Sequence, residues 1–362
     1  MSKALHIGIV GGGQLGQMLG EAAEELGMSC TFVDPSEAPP AASAGEVVRA
    51  AFDDHEALTA LAAKADVITY EFENVPVDAL NKLDGSTPLY PPPAALEKAQ
   101  DRKLEKGLFV ELGIPVPGHR AVDSLEELTD AADELGLPMV VKTRRFGYDG
   151  KGQAVVREQK DIEAAWQALN PAPLIAEAWV PFDYEVSIIG ARNTEGEIVT
   201  WPLSRNAHRE GILRVATADA ADGPLHELAS DYVGRLLDHL NYVGVLTLEL
   251  FVAGDQLLAN EMAPRVHNSG HWTIEGSRTS QFSNHLRAIT GQALGDTSTV
   301  AWPGMVNIIG TFPEAARTLD DERLFLHDYG KSEREGRKLG HITCVAESPE
   351  ERRKVLDRLD GM

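Results

Sequence analysis

Between His6 and Phe72 short β-prone runs alternate with segments of helical period, and this alternation restricts the chain more than any other feature. HIGIV (6–10) ends in glycines, and QLGQMLGEAAEELG follows with apolar residues every three or four positions. CTFVD (30–34), HEALTALAAKA (55–65) and DVITYEF (66–72) continue the pattern. Parallel strands need a crossover between them, and a helix packs back on the sheet in a right-handed connection. The first hundred residues therefore predict a parallel sheet covered by helices, an α/β unit. STPLYPPPAAL (86–96) holds four prolines and is expected to be irregular, which puts a first domain at residues 1–101. With 362 residues the chain has room for two or three domains.

A second block, 102–181, reads as a helix (RKLEKGLFVELG), a loop (IPVPGH), a helix (SLEELTDAADELG) and a strand (PMVVKT). RRFGYDGKGQ, the strand AVVRE, a helix around Trp166 and the strand PLIAEAWV complete it. From 182 to 261 strands dominate (YEVSIIGAR, EIVTWPLSRNAHREGILRVAT and a hairpin), with one helix near 226–240. After about residue 300, MVNIIGT and GHITCVA read as β. This remainder has the order of an α+β fold.

Charge narrows the function. Lys and Arg number 33 against 56 Asp and Glu, a net charge of −23. Nucleic-acid binding needs a basic face to displace counterions, so that class is excluded. A small anion in a local basic pocket is not. Cys30 and Cys344 fit neither a disulfide framework nor a zinc knuckle and are expected to be reduced thiols. No run approaches the roughly 18 apolar residues of a membrane span, and Met1–Val10 does not read as a signal peptide. A cytoplasmic enzyme is the expectation.

Gly11, Gly13 and Gly16 form a G-x-G-x-x-G between a strand and a helix, with Asp34 closing the next strand. The motif admits a dinucleotide with Asp34 on its ribose, another phosphate ligand, or a turn that only packs the helix on its sheet. GYDGKGQ (147–153) lies between two strands and is no Walker loop, because neither Ser nor Thr nor a helix follows its lysine. Its three glycines let it fold over a polyphosphate, while Lys142 and Lys151 supply charge.

VLTLELFVAGDQLLANEM (245–262) reads as a hairpin. If its turn centres on Asp255, Glu249 lies opposite Glu261 on one face, with Cα atoms roughly 4.5–5.5 Å apart. Opposed carboxylates repel unless a cation lies between them, and hard oxygen ligands suit Mg²⁺ bridging nucleotide phosphates. PRVHNSGHW, next in the chain, gathers Arg265, His267, Asn268 and His271 as donors for a phosphate or carboxylate. KSEREGRKLGH (331–341) is a basic run that offers a second anion site in an acidic protein.

Taken together, GIVGGGQLGQM, TYEFENV, DRKLEKGLF, VVKTRRFGYDGKGQ, NEMAPRVHNSGHWTIE and GRKLGH resemble the ATP-grasp superfamily and, within it, the 5-(carboxyamino)imidazole ribonucleotide synthases. These stretches span nearly the whole chain in family order. The resemblance implies a Rossmann-like pre-ATP-grasp domain (1–101), an ATP-grasp domain (102–293) with a flexible lid at about 114–181, and a small β-containing domain (294–362) packed back on the substrate site. It implies a ligase that joins ATP, bicarbonate and aminoimidazole ribonucleotide into the N-carboxylated nucleotide, with Mg²⁺, as a homodimer.

By the same resemblance, ATP is held by Arg102, Lys142, the flap Gly147, Tyr148, Asp149, Gly150, Lys151, Gly152 and Gln153, the hinge Glu177, Ala178, Trp179 and Val180, then Glu185, His208, Asn260 and Glu261. Glu249 and Glu261 match the metal ligands. Gly13, Gln14, Leu15, Glu71, Arg265, His267, Asn268, Lys331, Arg337 and Lys338 match the surroundings of the imidazole nucleotide. Asp149, Lys151 and Arg265 match catalytic positions, and the amine proton has two acceptors to choose from, Asp149 and the released phosphate. The family flap is often GGYDG, whereas here Phe146 precedes Gly147. An oxidoreductase built on Gly11–Gly16 would leave the glutamate pair and the basic flap without a task, and another ATP-grasp ligase or a non-catalytic nucleotide-binding module are the remaining alternatives.

Overall fold

The computed structural model describes residues 4–147, 150–169, 172–219 and 223–361. β1 (His6–Val10), β2 (Ser29–Asp34), β3 (Glu46–Arg49) and β4 (Val67–Tyr70) form the expected parallel sheet in the order β3-β2-β1-β4. α1 (Gln14–Glu25) and α2 (His55–Lys64) supply crossovers, and with both faces covered the inner strands are buried almost throughout. α1 turns Leu15, Met18, Leu19, Ala22 and Ala23 inward, a helical stripe.

The proline run is not irregular throughout. After α3 (Val77–Asn81), Pro92 caps and Pro93 opens α4 (Pro93–Ala99). The first N–H groups of a helix have no intrahelical acceptor, so a proline there loses nothing and its fixed φ suits the first turn. α5 (Arg102–Glu111) follows, capped by the Asp101 carboxylate, which accepts from Lys103 N–H.

A second layer comprises β5 (His119–Val122), α6 (Leu125–Leu135), β6 (Met139–Thr143), β7 (Gln153–Val156), α7 (Ile162–Leu169) and β8 (Leu174–Ala178). Its antiparallel sheet has the order β5-β8-β6-β7. β5 escapes the sequence reading because HRAV is short and half polar. The layer carries a core of its own, including Leu128, Met139, Val141, Ile162 and Leu174.

The third sheet holds β9 (Tyr184–Arg192), β10 (Ile198–Thr200), β11 (Ser204–Arg209) and β12 (Ile212–Ala218), then, after α8 (Pro224–His239), β13 (Gly244–Ala253) and β14 (Gln256–Ala263). α9 (Thr273–Gly276) and α10 (Gln281–Ile289) lead to β15 (Trp302–Ile309), α11 (Glu314–Arg317), β16 (Leu324–Asp328), β17 (Lys338–Ala346) and α12 (Pro349–Asp360). Strand order is β14-β13-β9-β11-β12-β15-β17-β16, with β10 beside β9. The tail strands thus extend the middle sheet, joined at pairs such as Val215–Val306. β16 and α12 add to the two expected tail strands; α12 is mostly charged and buries only Arg352, Val355, Leu356 and Leu359.

Leu15, Met18 and Leu19 of α1 share a core with Phe282, Leu286 and Ile289 of α10. Each such side chain removed from water contributes about 1.5–3 kcal/mol, so this seam fixes the loop after β1 against the middle of the chain. Among the described residues, no helix is long and apolar enough to cross a membrane. Cys30 and Cys344 are buried free thiols.

Candidate active site

β13 and β14 join at a two-residue turn, Gly254–Asp255, not at the longer turn centred on Asp255 that the sequence reading assumed. Ala253 pairs with Gln256, and this register runs to Leu250–Ala259. Continued unbroken, it would set Glu249 against Asn260 and drive Glu261 to the face of the buried Leu248. Instead the register shifts at Asn260, an extra unpaired residue, and Glu249 opposes Glu261 as expected. Glu261 accepts from the Arg102 guanidinium at 2.9 Å, and Glu249 lies 3.1 Å from His267 Nε2. Burial, then the Glu261 charge, pushes Glu249 above the usual carboxylate range. Burial opposes ionisation of Glu261 too, but Arg102 followed by Lys142 more than offsets it and holds Glu261 down.

At the end of β6, Lys142 Nζ donates to Glu177 Oε2 at 2.9 Å and to Asn260 Oδ1 at 3.3 Å. Lys106 Nζ stands 3.6 Å from the same Glu177 oxygen. Against its burial, Lys106 and Lys142 bring Glu177 down to about 2. On neighbouring strands Glu185 and His208 meet at 2.7 Å; the carboxylate outweighs burial and raises the imidazole. Ala178, Trp179 and Val180 follow Glu177, and the Trp179 ring is 43% exposed.

The glycine-rich stretch is the predicted hairpin loop, with Lys142 paired to Gln153 across its base and Thr143 N–H donating to Gly152 O at 2.8 Å. Gly150 has φ +74°, and a Cβ there would lie 3.0 Å from Glu210 O at the β11–β12 turn. The flap tip therefore rests on that turn at a position suited to glycine. Arg144 forks onto Asp101 at 3.1 and 2.6 Å, tying the base of the flap to the start of α5. Gly147 lies near Arg102, and Lys151 is exposed. Tyr148 and Asp149 lie outside the described residues.

The glycine loop after β1 turns its amides to acidic side chains of the chain itself. Gly12 N–H donates to Asp34 Oδ2 at 2.8 Å and Gly13 N–H to Glu71 Oε1 at 2.8 Å. Gly11 has φ +108°, and a Cβ there would meet Glu71 Oε1 at 2.6 Å. Two of the amides a dinucleotide would need are spent on carboxylates of the chain itself, and the glycines make room for Glu71. Burial foremost raises Glu71, with Gly13, Arg265 and Lys331 pulling it back.

Facing this loop, Arg265 donates to Glu73 at 2.5 Å and to Val266 O at 3.1 Å. Lys331 reaches Gln14, whose neighbour Leu15 is buried in α1. Burial, then Arg337, brings the Lys331 ammonium down to about 8. Arg337 donates to Ser332 O at 3.2 Å and Oγ at 2.9 Å, and Lys338 opens β17. His267 also bonds Ser269 Oγ at 2.8 Å through Nδ1. The structure thus joins Gly13, Gln14, Glu71, Arg265 and Lys331 in one wall, with His267 bridging to Glu249. Asn268 and Leu15 stand outside it: the Asn268 amide is spent on Asn307, giving at 3.0 Å and accepting at 2.7 Å, and Leu15 is buried in the core against α10.

Among the described residues, no group of three or more His, Cys, Asp or Glu can hold a metal ion. Two opposed carboxylates still fit Mg²⁺, which commonly takes one or two from the protein and the rest of its shell from phosphates and water.

Three family models account for most of the chain: the ribonucleotide synthetase preATP-grasp domain at residues 4–100, the ATP-grasp domain at 107–282, and the phosphoribosylaminoimidazole carboxylase C-terminal domain at 304–355. N5-carboxyaminoimidazole ribonucleotide synthase of Pseudomonas aeruginosa is 48% identical over 339 residues, covering 94% of each chain. The chain belongs to the N5-carboxyaminoimidazole ribonucleotide synthase family. The crystal structure of the synthetase from Thermus thermophilus superposes with a TM-score of 0.93 at 48% identity, over 98% of both chains. That of the Aspergillus clavatus synthase in complex with ADP and 5-aminoimidazole ribonucleotide gives 0.91 at 29% identity over 100% of both. The ATP-grasp fold with its parallel N-terminal sheet stands as expected.

Four residues carry no readable signal for the site in the sequence: Glu73, Glu105 and Lys106, which touch it, and Asn307, which holds Asn268 away from it. Glu73 lies inside the quoted stretch TYEFENV. Glu105 and Lys106 lie in DRKLEKGLF, where a charged pair on a helix reads as a solvated face although both are buried. Asn307 had no signal, because its partner is 39 positions away.

Proposed function

We propose that this chain carboxylates 5-aminoimidazole ribonucleotide with ATP and bicarbonate to N5-carboxyaminoimidazole ribonucleotide, a ligase step of purine biosynthesis. One observation carries the reading: a cluster of Lys142, Arg102 and the opposed Glu249–Glu261 pair continues, through His267, into a wall built from Gln14, Glu71, Arg265 and Lys331. Two anionic substrates need two such surfaces in contact. The Aspergillus clavatus complex named above holds ADP together with the imidazole nucleotide.

Bicarbonate is a poor electrophile because hydroxide leaves badly. Transfer of the γ-phosphoryl group from ATP gives carboxyphosphate and ADP; its breakdown to CO₂ and phosphate beside the amine lets the N–C bond form, and the amine gives up one proton. The task of the chain is positioning and charge neutralisation. Lys142 and Arg102 face the phosphates and the flap covers them, with Lys151 in it. Glu185 with His208 holds the ribose side, and Arg265 and Lys331 hold the second nucleotide. Mg²⁺ on Glu249 and Glu261 supplies further neutralisation of the phosphoryl oxygens when bound. The functional divisions in this reading are 1–101, 102–293 and 294–362, in a cytoplasmic homodimer.

Measuring ADP release with each substrate omitted in turn tests the proposal. ADP formation that depends on aminoimidazole ribonucleotide, coupled to carboxylation only with bicarbonate present, is the expected result. Oxidation of NAD(P)H without ADP release would overturn it.

A further inference from the structure

β14 is an edge strand, so its outer backbone groups have no neighbouring strand to bond. The bulge at Asn260 makes this worse, because an extra residue leaves its own groups outside the ladder. α5 answers both needs with side chains. Lys106 Nζ donates to Ala259 O at 3.1 Å and to Asn260 O at 2.7 Å, on the two residues where the register changes. Glu105 Oε1 accepts from Met262 N–H at 2.7 Å, just past Glu261. Ala259 N–H is taken by Pro115 O at 2.7 Å.

The cost of this arrangement is high. Glu105 is 1% exposed and Lys106 is 0% exposed, and burial pushes the Glu105 carboxyl up to about 8 and the Lys106 ammonium below its ordinary value, because an ionised group costs several kcal/mol to take out of water. Apolar residues of similar volume would fill the space at no such cost, but they would leave the edge carbonyls and the Met262 amide unbonded. A strand relieved of its bulge would slip by one residue, and a slip by one sends every side chain beyond it to the other face. For β14 that means Glu261 leaving Glu249 for the buried side of Leu248.

We propose that Glu105 and Lys106 are positioning residues for the reaction: they stand in for the missing neighbour strand, lock the Asn260 bulge, and so keep Glu261 on the face of Glu249. The inference rests on the reading of that carboxylate pair as the Mg²⁺ face. Lys106 also supports Glu177, whereas Glu105 makes its bond to Met262, so Glu105 variants separate the bulge from the Glu177 contact.

The test uses the full chain with Glu105→Leu and Lys106→Met against Glu105→Gln and Lys106→Arg, which keep an acceptor and donors. Groups that orient metal ligands commonly cost 10- to 100-fold when removed, so the Leu and Met variants should lose about that much in kcat with KM for aminoimidazole ribonucleotide unchanged. By calorimetry, the Mg²⁺ needed for half-maximal ADP binding should rise about tenfold in both. Amide hydrogen exchange at residues 259–262 should quicken, while the Gln and Arg variants stay near the native chain. If Lys106→Met does not fold, Glu105→Leu carries the test. Folded Leu and Met variants with native kcat and Mg²⁺ dependence overturn the role of α5 when Glu261→Gln, run beside them, has lost both. Native Mg²⁺ dependence in Glu261→Gln overturns the carboxylate-pair reading, and the proposal with it.

Discussion

On the side of the site that holds Lys142, the interacting groups come from residues 101–261, on α5 and its cap, two hairpins and the strand that carries Glu177. On the side that holds Lys331, contacts join residues 317, 192 and 58 positions apart: Lys331 with Gln14, Arg265 with Glu73, and Gly13 with Glu71. The contacts of the first side are long as well, Arg102 with Glu261 at 159 positions and Lys142 with Asn260 at 118, but each of its members lies in a motif that can be traced. The second exists only once α1 has packed against α10 and the tail strands have joined β12. A basic run such as 331–341 announces an anion site, but only the fold says which loop it will face.

If the two sides do separate work, substitutions should separate as well. The largest effect belongs to the hairpin they share. Glu261→Gln is expected to lower kcat by about 10²-fold or more, since the loss of a metal ligand weakens the hold on the cation that neutralises the phosphoryl group in the transition state. Losing the Arg102 pair is offset by relief of the repulsion with Glu249, so the thermal midpoint should move by no more than about 4 °C. Steady-state kinetics and a melting curve check both parts, and normal turnover at limiting Mg²⁺ would remove the hairpin from the metal site.

A crossed pair sharpens the division. Arg337→Ala should raise KM for aminoimidazole ribonucleotide by roughly 10- to 100-fold with little change for ATP, since charge-assisted bonds to phosphate contribute about 1.5–3 kcal/mol each. Lys142→Ala should show the reverse. Varying each substrate separately decides it; both defects in the same substrate would merge the two sides.

The smallest effect is in pH. Burial leaves the Lys331 ammonium at about 8, so it is charged below that value and neutral above it. If it meets the phosphate of the imidazole nucleotide, KM for that substrate should climb between pH 7 and 9, by up to about tenfold for a group that titrates near 8. Lys331→Arg keeps its charge throughout, and its profile should be flat. A native profile already flat over this range would take Lys331 out of substrate binding.

What was legible follows the same line. The parallel sheet, the flap hairpin and the Glu249–Glu261 opposition were readable because apolar period and turn residues act locally. The opposition holds although the turn is one residue shorter than a centre on Asp255 implies, because the bulge at Asn260 restores the register. β5 and α12 were missed because they are short of apolar residues, and the helix at Pro93 because proline is read as a breaker before it is read as an opener. In the glycine loop the motif was plain but its partners were not. The amides of Gly12 and Gly13 turn to Asp34 and Glu71, and no spacing rule distinguishes a carboxylate of the chain from a phosphate in solution.

The continuous third sheet has a mechanical consequence. Backbone bonds run from β14 through β12 and β15 to β16, so the strand carrying Glu261 and the strand carrying Lys338 belong to one stiff plate. Shear within such a plate breaks several ladder bonds at once, whereas the β5-β8-β6-β7 layer shares no ladder bond with it and has a separate core. The spacing between Glu261 and Lys338 is set by the plate, as on a gauge block, and it holds whatever else in the molecule moves.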